Sequence, residues 1–259
     1  KIISINLSRN DLYLNRRPAK AILTPPGSFL IDWSNSGKNN SDSKWENWHE
    51  QLAIRNDKRQ ADIINQSNTP TEFVNPMKLC LSLNEHIQEG DIIVADGGDF
   101  VATASYILQP RSFTGWLDPG VFGTLGVGAG FILGAKLTNP DSVVWAIYGD
   151  GAFGYSLMEF DTFVRHKIPV IAVIGNDAGW TQIARDQVDI LGSAVSTKLA
   201  PTEYHKAVEA LGGAGFLIYD ENQIDEILTR AKESAQSGKP TVVNVRIGKT
   251  DFRKGSLSM

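Results

Sequence analysis

The 259 residues carry 25 basic against 29 acidic side chains, a formal net charge of -4, with 42% hydrophobic and 21% charged residues. That balance excludes a disordered, collagenous or coiled-coil chain, leaves no broad basic footprint for nucleic acid or an anionic membrane, and is long enough to bury a proper core. The single cysteine, Cys80, excludes internal disulfides, thiolate zinc clusters and CxxC redox chemistry.

In chain order, the first segment predicts a strand over 2–7 with no signal-peptide pattern, then a polar stretch and a turn at Pro25-Pro26-Gly27. The Ser/Asn/Asp-rich run 34–43 reads as a flexible connector. A helix is expected over 44–64, with Trp45, Trp48 and Leu52 spaced as packing anchors. Pro76 suits the first turn of a further helix whose apolar face carries Met77, Leu81, Leu83 and Ile87.

From there the pattern becomes regular. Short apolar runs at 91–95, 143–148, 169–174, 216–219 and 241–247 predict strands, separated by stretches of helical period. The clearest helix, 222–235, sets Ile224, Ile227, Leu228, Ala231 and Ala235 on one stripe. The uncharged stretch 119–135 has GxxxG spacing at Gly126, Gly130 and Gly134, but 17 residues with six glycines are too short for a membrane span. Strands alternating with helices predict an α/β fold, a mostly parallel sheet with helices on both faces. Ligands of such sheets bind beyond the carboxyl ends of the strands.

At those ends stand Gly149-Asp150-Gly151 and, after 24 intervening residues, Asn176-Asp177-Ala178-Gly179. One helix and one strand fit between them, so both loops return to the same edge of the sheet. Oxygen-bearing side chains from two such loops form a half-shell for a hard divalent cation, which commonly shares its coordination with a phosphate, and a helix beginning near Ala152 adds amide donors. A lone Gly-Asp-Gly is also ordinary turn chemistry.

The stretch from Gly149 to Gln182 resembles the motif of thiamine-diphosphate enzymes, with Asp96-Gly97-Gly98-Asp99-Phe100, the Trp116–Gly120 loop and the Gly123–Gly130 run placed as that family's other cofactor-facing loops. Residues 149–157 and 159–169, with Thr250-Asp251-Phe252-Arg253, look like the acetolactate-synthase-like branch that contains the 2-hydroxyacyl-CoA lyase of the animal endoplasmic reticulum. The resemblance implies a thiamine-diphosphate-binding domain over 76–259, a linker and helix over 36–75, and a remnant of a Rossmann-like middle domain over 1–35.

It further implies thiamine diphosphate and Mg2+ as cofactors. The implied metal ligands are Asp150, Asp177 with Asn176 as the fallback, and the carbonyl of Gly179. The implied cofactor contacts are Asp96, Gly97, Gly98, Asp99, Gly123, Leu125, Gly149, Asp150, Gly151, Ala152, Asn176, Asp177 and Gly179, with Leu125 as the wedge that bends the cofactor. The catalytic glutamate of the family belongs to an N-terminal domain of a partner subunit, so no catalytic residue is expected within this chain. The activity expected is cleavage of 2-hydroxyacyl-CoA, with acetolactate synthesis from a 2-oxo acid or a silent cofactor-binding and dimerisation module as alternatives. A homo-oligomer is expected, with a membrane link only through an N-terminal anchor outside this sequence and an endoplasmic-reticulum location on the cytosolic face.

Other catalysts are not evident. His49, His86, His166 and His205 are scattered, Ser156 lacks a nucleophile elbow, and Gly126-Val127-Gly128-Ala129-Gly130 misses the dinucleotide fingerprint. Trp180 and Tyr155 either line a substrate pocket or simply pack.

Overall fold

The computed structural model describes residues 1–37 and 45–255. The chain divides into two compact units, Lys1–Lys58 and Arg59–Met259. In the first, β1 (Ile3–Asn6) pairs in parallel with β2 (Lys20–Leu23), Ile3 opposite Lys20. The four-residue β2 is too short for periodicity to reveal. Helix α1 (Pro26–Ser36) starts where a turn is expected, because Pro26 at the first helical position has its φ preset and needs no N–H partner. This helix also takes in Ser34 to Ser36, the start of the expected connector. The rest of that connector, 38–43, and Lys44 lie outside the described residues.

Helix α2 (Glu46–Ser67) crosses the division. Trp45, Trp48 and Leu52 are 60%, 55% and 43% exposed, so they do not anchor packing as their spacing suggests. Their stripe is uncovered among the described residues, and burial begins only near the end of the helix, at Ile63 and Ser67.

After the end of α2, the second unit continues with α3 (Pro76–His86), capped by Asn75, whose Oδ1 accepts the Met77 N–H at 2.9 Å. Its buried face is Met77, Leu79, Cys80 and Leu83, followed by Ile87, with Leu81 only partly buried. Then come β3 (Ile92–Ala95), α4 (Asp99–Ala104), β4 (Trp116–Leu117), α5 (Gly128–Thr138), β5 (Val144–Gly149), α6 (Asp150–Ser156) and α7 (Glu159–Arg165). The chain continues through β6 (Ile171–Asn176), α8 (Thr181–Leu191), α9 (Tyr204–Ala210), β7 (Ala214–Ile218), α10 (Ile224–Gln236) and β8 (Thr241–Arg246).

The six strands of this unit form one wholly parallel sheet in the order β4-β3-β5-β6-β8-β7. Every residue of β5 and β6 is buried. Alternate side chains enter two separate clusters. Ile93, Trp145, Ile147, Val173 and Val243 join α3, α4 and α10 on one face, while Val94, Ala146, Ala172, Ile174 and Val242 join α5, α6, α7 and α9 on the other. A period of two inside an unbroken apolar run is what a sheet covered on both faces requires. At roughly 25 cal/mol per Å2 each large core side chain contributes about 1.5–3 kcal/mol, which gives the strand ends a stiff base.

From β3 the chain moves outward to β4, then returns across β3 to β5. That reversal opens a crevice between the carboxyl ends of β3 and β5. No helix of the described residues is long and apolar enough to cross a membrane.

Candidate functional site

The crevice is a cavity of about 430 Å3, walled by the loops that leave β3, β4, β5 and β6. Every site residue expected from sequence lines it, except Asn176. The closeness of the walls comes from residues without side chains. A Cβ on Gly97 would lie 2.1 Å from Leu125 Cδ2, so the absence of one lets Leu125 seat directly on the β3 loop.

Asp150 begins α6 and is 2% exposed. Its Oδ1 accepts the Gly151 N–H at 2.8 Å and its Oδ2 accepts the Gly179 N–H at 3.2 Å, which ties the β5 loop to the β6 loop. Tyr204 donates its hydroxyl to the Asp150 carbonyl at 2.9 Å and fixes the backbone from below. Burial, and then the charge of Asp177, push the Asp150 carboxyl up to about 6, partly offset by the amide donors of Gly151, Gly179 and Ala178.

Asp177 lines the cavity, and its Oδ2 accepts a hydrogen bond from the Thr181 hydroxyl. Burial raises its carboxyl too, and Asp99 adds repulsion while Thr181 and Lys249 act against it. Among the described residues no Lys or Arg forms an ion pair with Asp150 or Asp177. A buried and a half-buried carboxylate side by side, neither ion-paired with a Lys or Arg, suit a divalent ion.

Asn176 points away. Its Nδ2 donates to the Thr202 carbonyl at 3.0 Å and to Asn244 Oδ1 at 3.1 Å, and its Oδ1 accepts from the Ala178 N–H at 3.3 Å. With its amide used in this way beneath the turn, it shapes the loop, and the cavity-facing acid is Asp177. Ala178 itself sits at φ 55, a left-handed conformation rare for a residue with a Cβ.

Asp96 lines the cavity and also braces it. Its Oδ2 accepts from the Gly128 N–H at 2.7 Å and both oxygens accept from the Gly126 N–H, at 3.0 and 3.1 Å. That buried carboxylate holds the glycine-rich loop in place, so Gly123 and Leu125 face the cavity. Asp99 forms an ion pair with Arg185 of α8 at 2.7 Å. Trp180 lines the cavity over Gly151, while Tyr155 is exposed beside it, with ring centroids 6.3 Å apart.

The scattered histidines stay outside this site. His205 is buried in α9 against Asn244, and His86 hydrogen-bonds to Ser82 at the end of α3. Phe100, from the expected Asp96–Phe100 loop, lines the cavity, and so do Thr181 and Arg253, to which sequence reasoning assigned no role there.

The residues present fit a metal-bound diphosphate. Two cavity-facing carboxylates and the main chain of Gly179 offer oxygen donors, and among the described residues no group of three or more His, Cys, Asp or Glu gathers, so further ligands would have to come with the anion itself. A parallel sheet with such a site at its switch point defines a cofactor-dependent α/β enzyme domain. The chain belongs to the thiamine pyrophosphate enzymes, whose C-terminal TPP-binding domain matches residues 96–245.

Among its relatives, a 2-hydroxyacyl-CoA lyase 2 from Bos taurus is 47% identical over 267 residues, covering 100% of this chain and 42% of that protein. The Homo sapiens protein of the same name is 46% identical with the same coverage. A probable acetolactate synthase from Mycobacterium bovis is 37% identical over 77% of this chain and 36% of its own length. This chain therefore spans about two-fifths of the lyases it matches. In fold it is similar to a thiamine diphosphate-dependent 4-hydroxybenzoylformate decarboxylase from Rhodococcus jostii, with a TM-score of 0.75 over 97% of this chain and 44% of the other at 18% identity.

Proposed function

We propose that this chain forms the diphosphate-gripping part of a thiamine-diphosphate and Mg2+ site in a carbon–carbon lyase that cleaves 2-hydroxyacyl-CoA to formyl-CoA and a shortened aldehyde. The observation that carries this reading is the hydrogen bond from the Gly179 N–H to Asp150 Oδ2, which joins two loops whose acids face one cavity. In this reading Asp150, Asp177 and the Gly179 carbonyl hold Mg2+ against the diphosphate. Leu125, seated on Gly97, would prop the cofactor, and the Gly123 backbone would accept a hydrogen bond from its aminopyrimidine. Thiamine diphosphate, when bound, supplies a nucleophilic carbon that attacks a carbonyl.

The choice of lyase is supported by the names and identities of the relatives aligned along the whole chain. Acetolactate-type carboligation of a 2-oxo acid is the second reading, favoured by the mycobacterial relative. Both readings place the catalytic glutamate on another domain from a partner subunit, and the lyase reading places the protein at the endoplasmic reticulum. Assaying the full-length protein with 2-hydroxyacyl-CoA and, separately, with pyruvate decides between them. Formyl-CoA release supports the lyase, and acetolactate without thioester cleavage overturns it.

A further inference from the structure

Arg253 lies in the wall of the cavity and is 6% exposed, yet its Nε has no hydrogen-bond partner. No described residue gives its guanidinium an ion pair. It stacks instead on Tyr106, with Cζ 5.0 Å from the ring centroid, and Arg59 approaches the same ring at 4.4 Å. Phe252 braces Tyr106 edge-on at 5.9 Å. A buried cation left with only an aromatic face is costly unless an anion completes it.

The position of this cation separates it from the metal end. Asp99, at the start of α4, neighbours Asp177, whereas Tyr106 follows the other end of that helix, which is about 9 Å long by its rise. The cavity thus has an acidic end, suited to a metal-bound diphosphate, and a guanidinium end without an ion-paired carboxylate among the described residues.

We propose that Arg253 is a substrate-binding residue that takes an oxyanion, a phosphate of a CoA thioester or the carboxylate of a 2-oxo acid, while Tyr106 holds its guanidinium plane. A planar fork matches either oxyanion with two parallel hydrogen bonds. The assignment rests on the thiamine-diphosphate reading for the identity of the substrates, but its test does not require turnover.

Calorimetry on the cofactor-free full-length protein measures binding of three probes: free coenzyme A, pantetheine (which lacks its phosphates), and pyruvate. Loss of roughly 10- to 100-fold in coenzyme A affinity in Arg253→Gln, with pantetheine unaffected, supports the phosphate source; the same loss confined to pyruvate supports the carboxylate source. Arg253→Lys should retain part of the affinity. Equal binding of all three probes by wild type and Arg253→Gln overturns the proposal. So does a comparable loss for all three, pantetheine included, in both Arg253→Gln and Arg253→Lys, the signature of a merely structural residue. Thiamine diphosphate with Mg2+, titrated separately, reports on the cofactor reading: its failure to bind wild type sinks that reading while leaving the anion result standing.

Discussion

Gly179 donates its backbone N–H to the carboxylate of Asp150 at 3.2 Å, across 29 positions of sequence. This bond sets the two acid-bearing loops against each other before any ligand arrives. Asp150→Ala removes the tie and, in the proposed reading, a metal donor, and is expected to abolish binding of thiamine diphosphate with magnesium in calorimetry. Asp177→Asn keeps an oxygen toward the cavity and a partner for Thr181, so binding should survive. Undiminished affinity in Asp150→Ala would discard the assignment of the site.

Asn176 answers a different test. Asn176→Ala leaves Asn244 Oδ1 without its donor and the Thr202 carbonyl with Asn244 Nδ2 alone, which should cost about 1–3 kcal/mol of folding stability. Urea unfolding measures this. A variant as stable as wild type with weakened magnesium binding would instead show that Asn176 turns outward to the ion.

The cofactor-free protein should grow less stable as pH rises through about 6. The folded state holds the Asp150 carboxyl at about 6, above its ordinary 3.8, because burial and Asp177 disfavour the charge. A raised carboxyl favours the folded state below about pH 4, and that contribution fades as the group ionises, by on the order of 3 kcal/mol. Chemical denaturation at pH 4.5 and 7.5 should reveal a slope that Asp150→Asn flattens, and magnesium with cofactor should offset the loss at the higher pH. Identical slopes in the two proteins would count against an ionising Asp150.

Two glycines separate packing from binding. A Cβ on Gly175 would lie 2.2 Å from Phe100 Cγ, next to the root of that side chain, so Gly175→Ala should cost about 1–3 kcal/mol in stability. On Gly97 the clash is with the mobile end of Leu125, so Gly97→Ala should push that side chain aside at little cost in thermal midpoint while lowering cofactor affinity. Thermal melts paired with cofactor titrations check both, and a larger melting loss for Gly97→Ala than for Gly175→Ala would refute the distinction.

The sheet was legible because fully buried parallel strands read as unbroken apolar runs, and Gly-Asp-Gly with its spaced partner marked their ends. The boundaries drifted: β5 ends on Gly149 and β6 on Asn176, one and two residues past the apolar runs, because Gly149 pairs with Gly175 and Asn176 with Arg246 on the last rungs. Local preference for strand stops earlier. The orientation of Asn176 was not readable, since it depends on Thr202 and Asn244, distant in sequence. For the same reason the bonds from the Gly126 and Gly128 amides to Asp96 were not readable, 30 and 32 positions away. The tryptophans of α2 show the opposite failure: helical spacing alone cannot tell whether anything lies opposite it.

Ala178 adopts φ 55 between Asp177 and Gly179. A methyl group in that conformation works against its own backbone by on the order of 1 kcal/mol, a tension that Asn176 and its anchors below must withstand. The acidic turn is thus cocked rather than relaxed, and a hardier protein has an obvious first edit: Ala178→Gly would release the spring and leave the Asp177 loop less firmly posed.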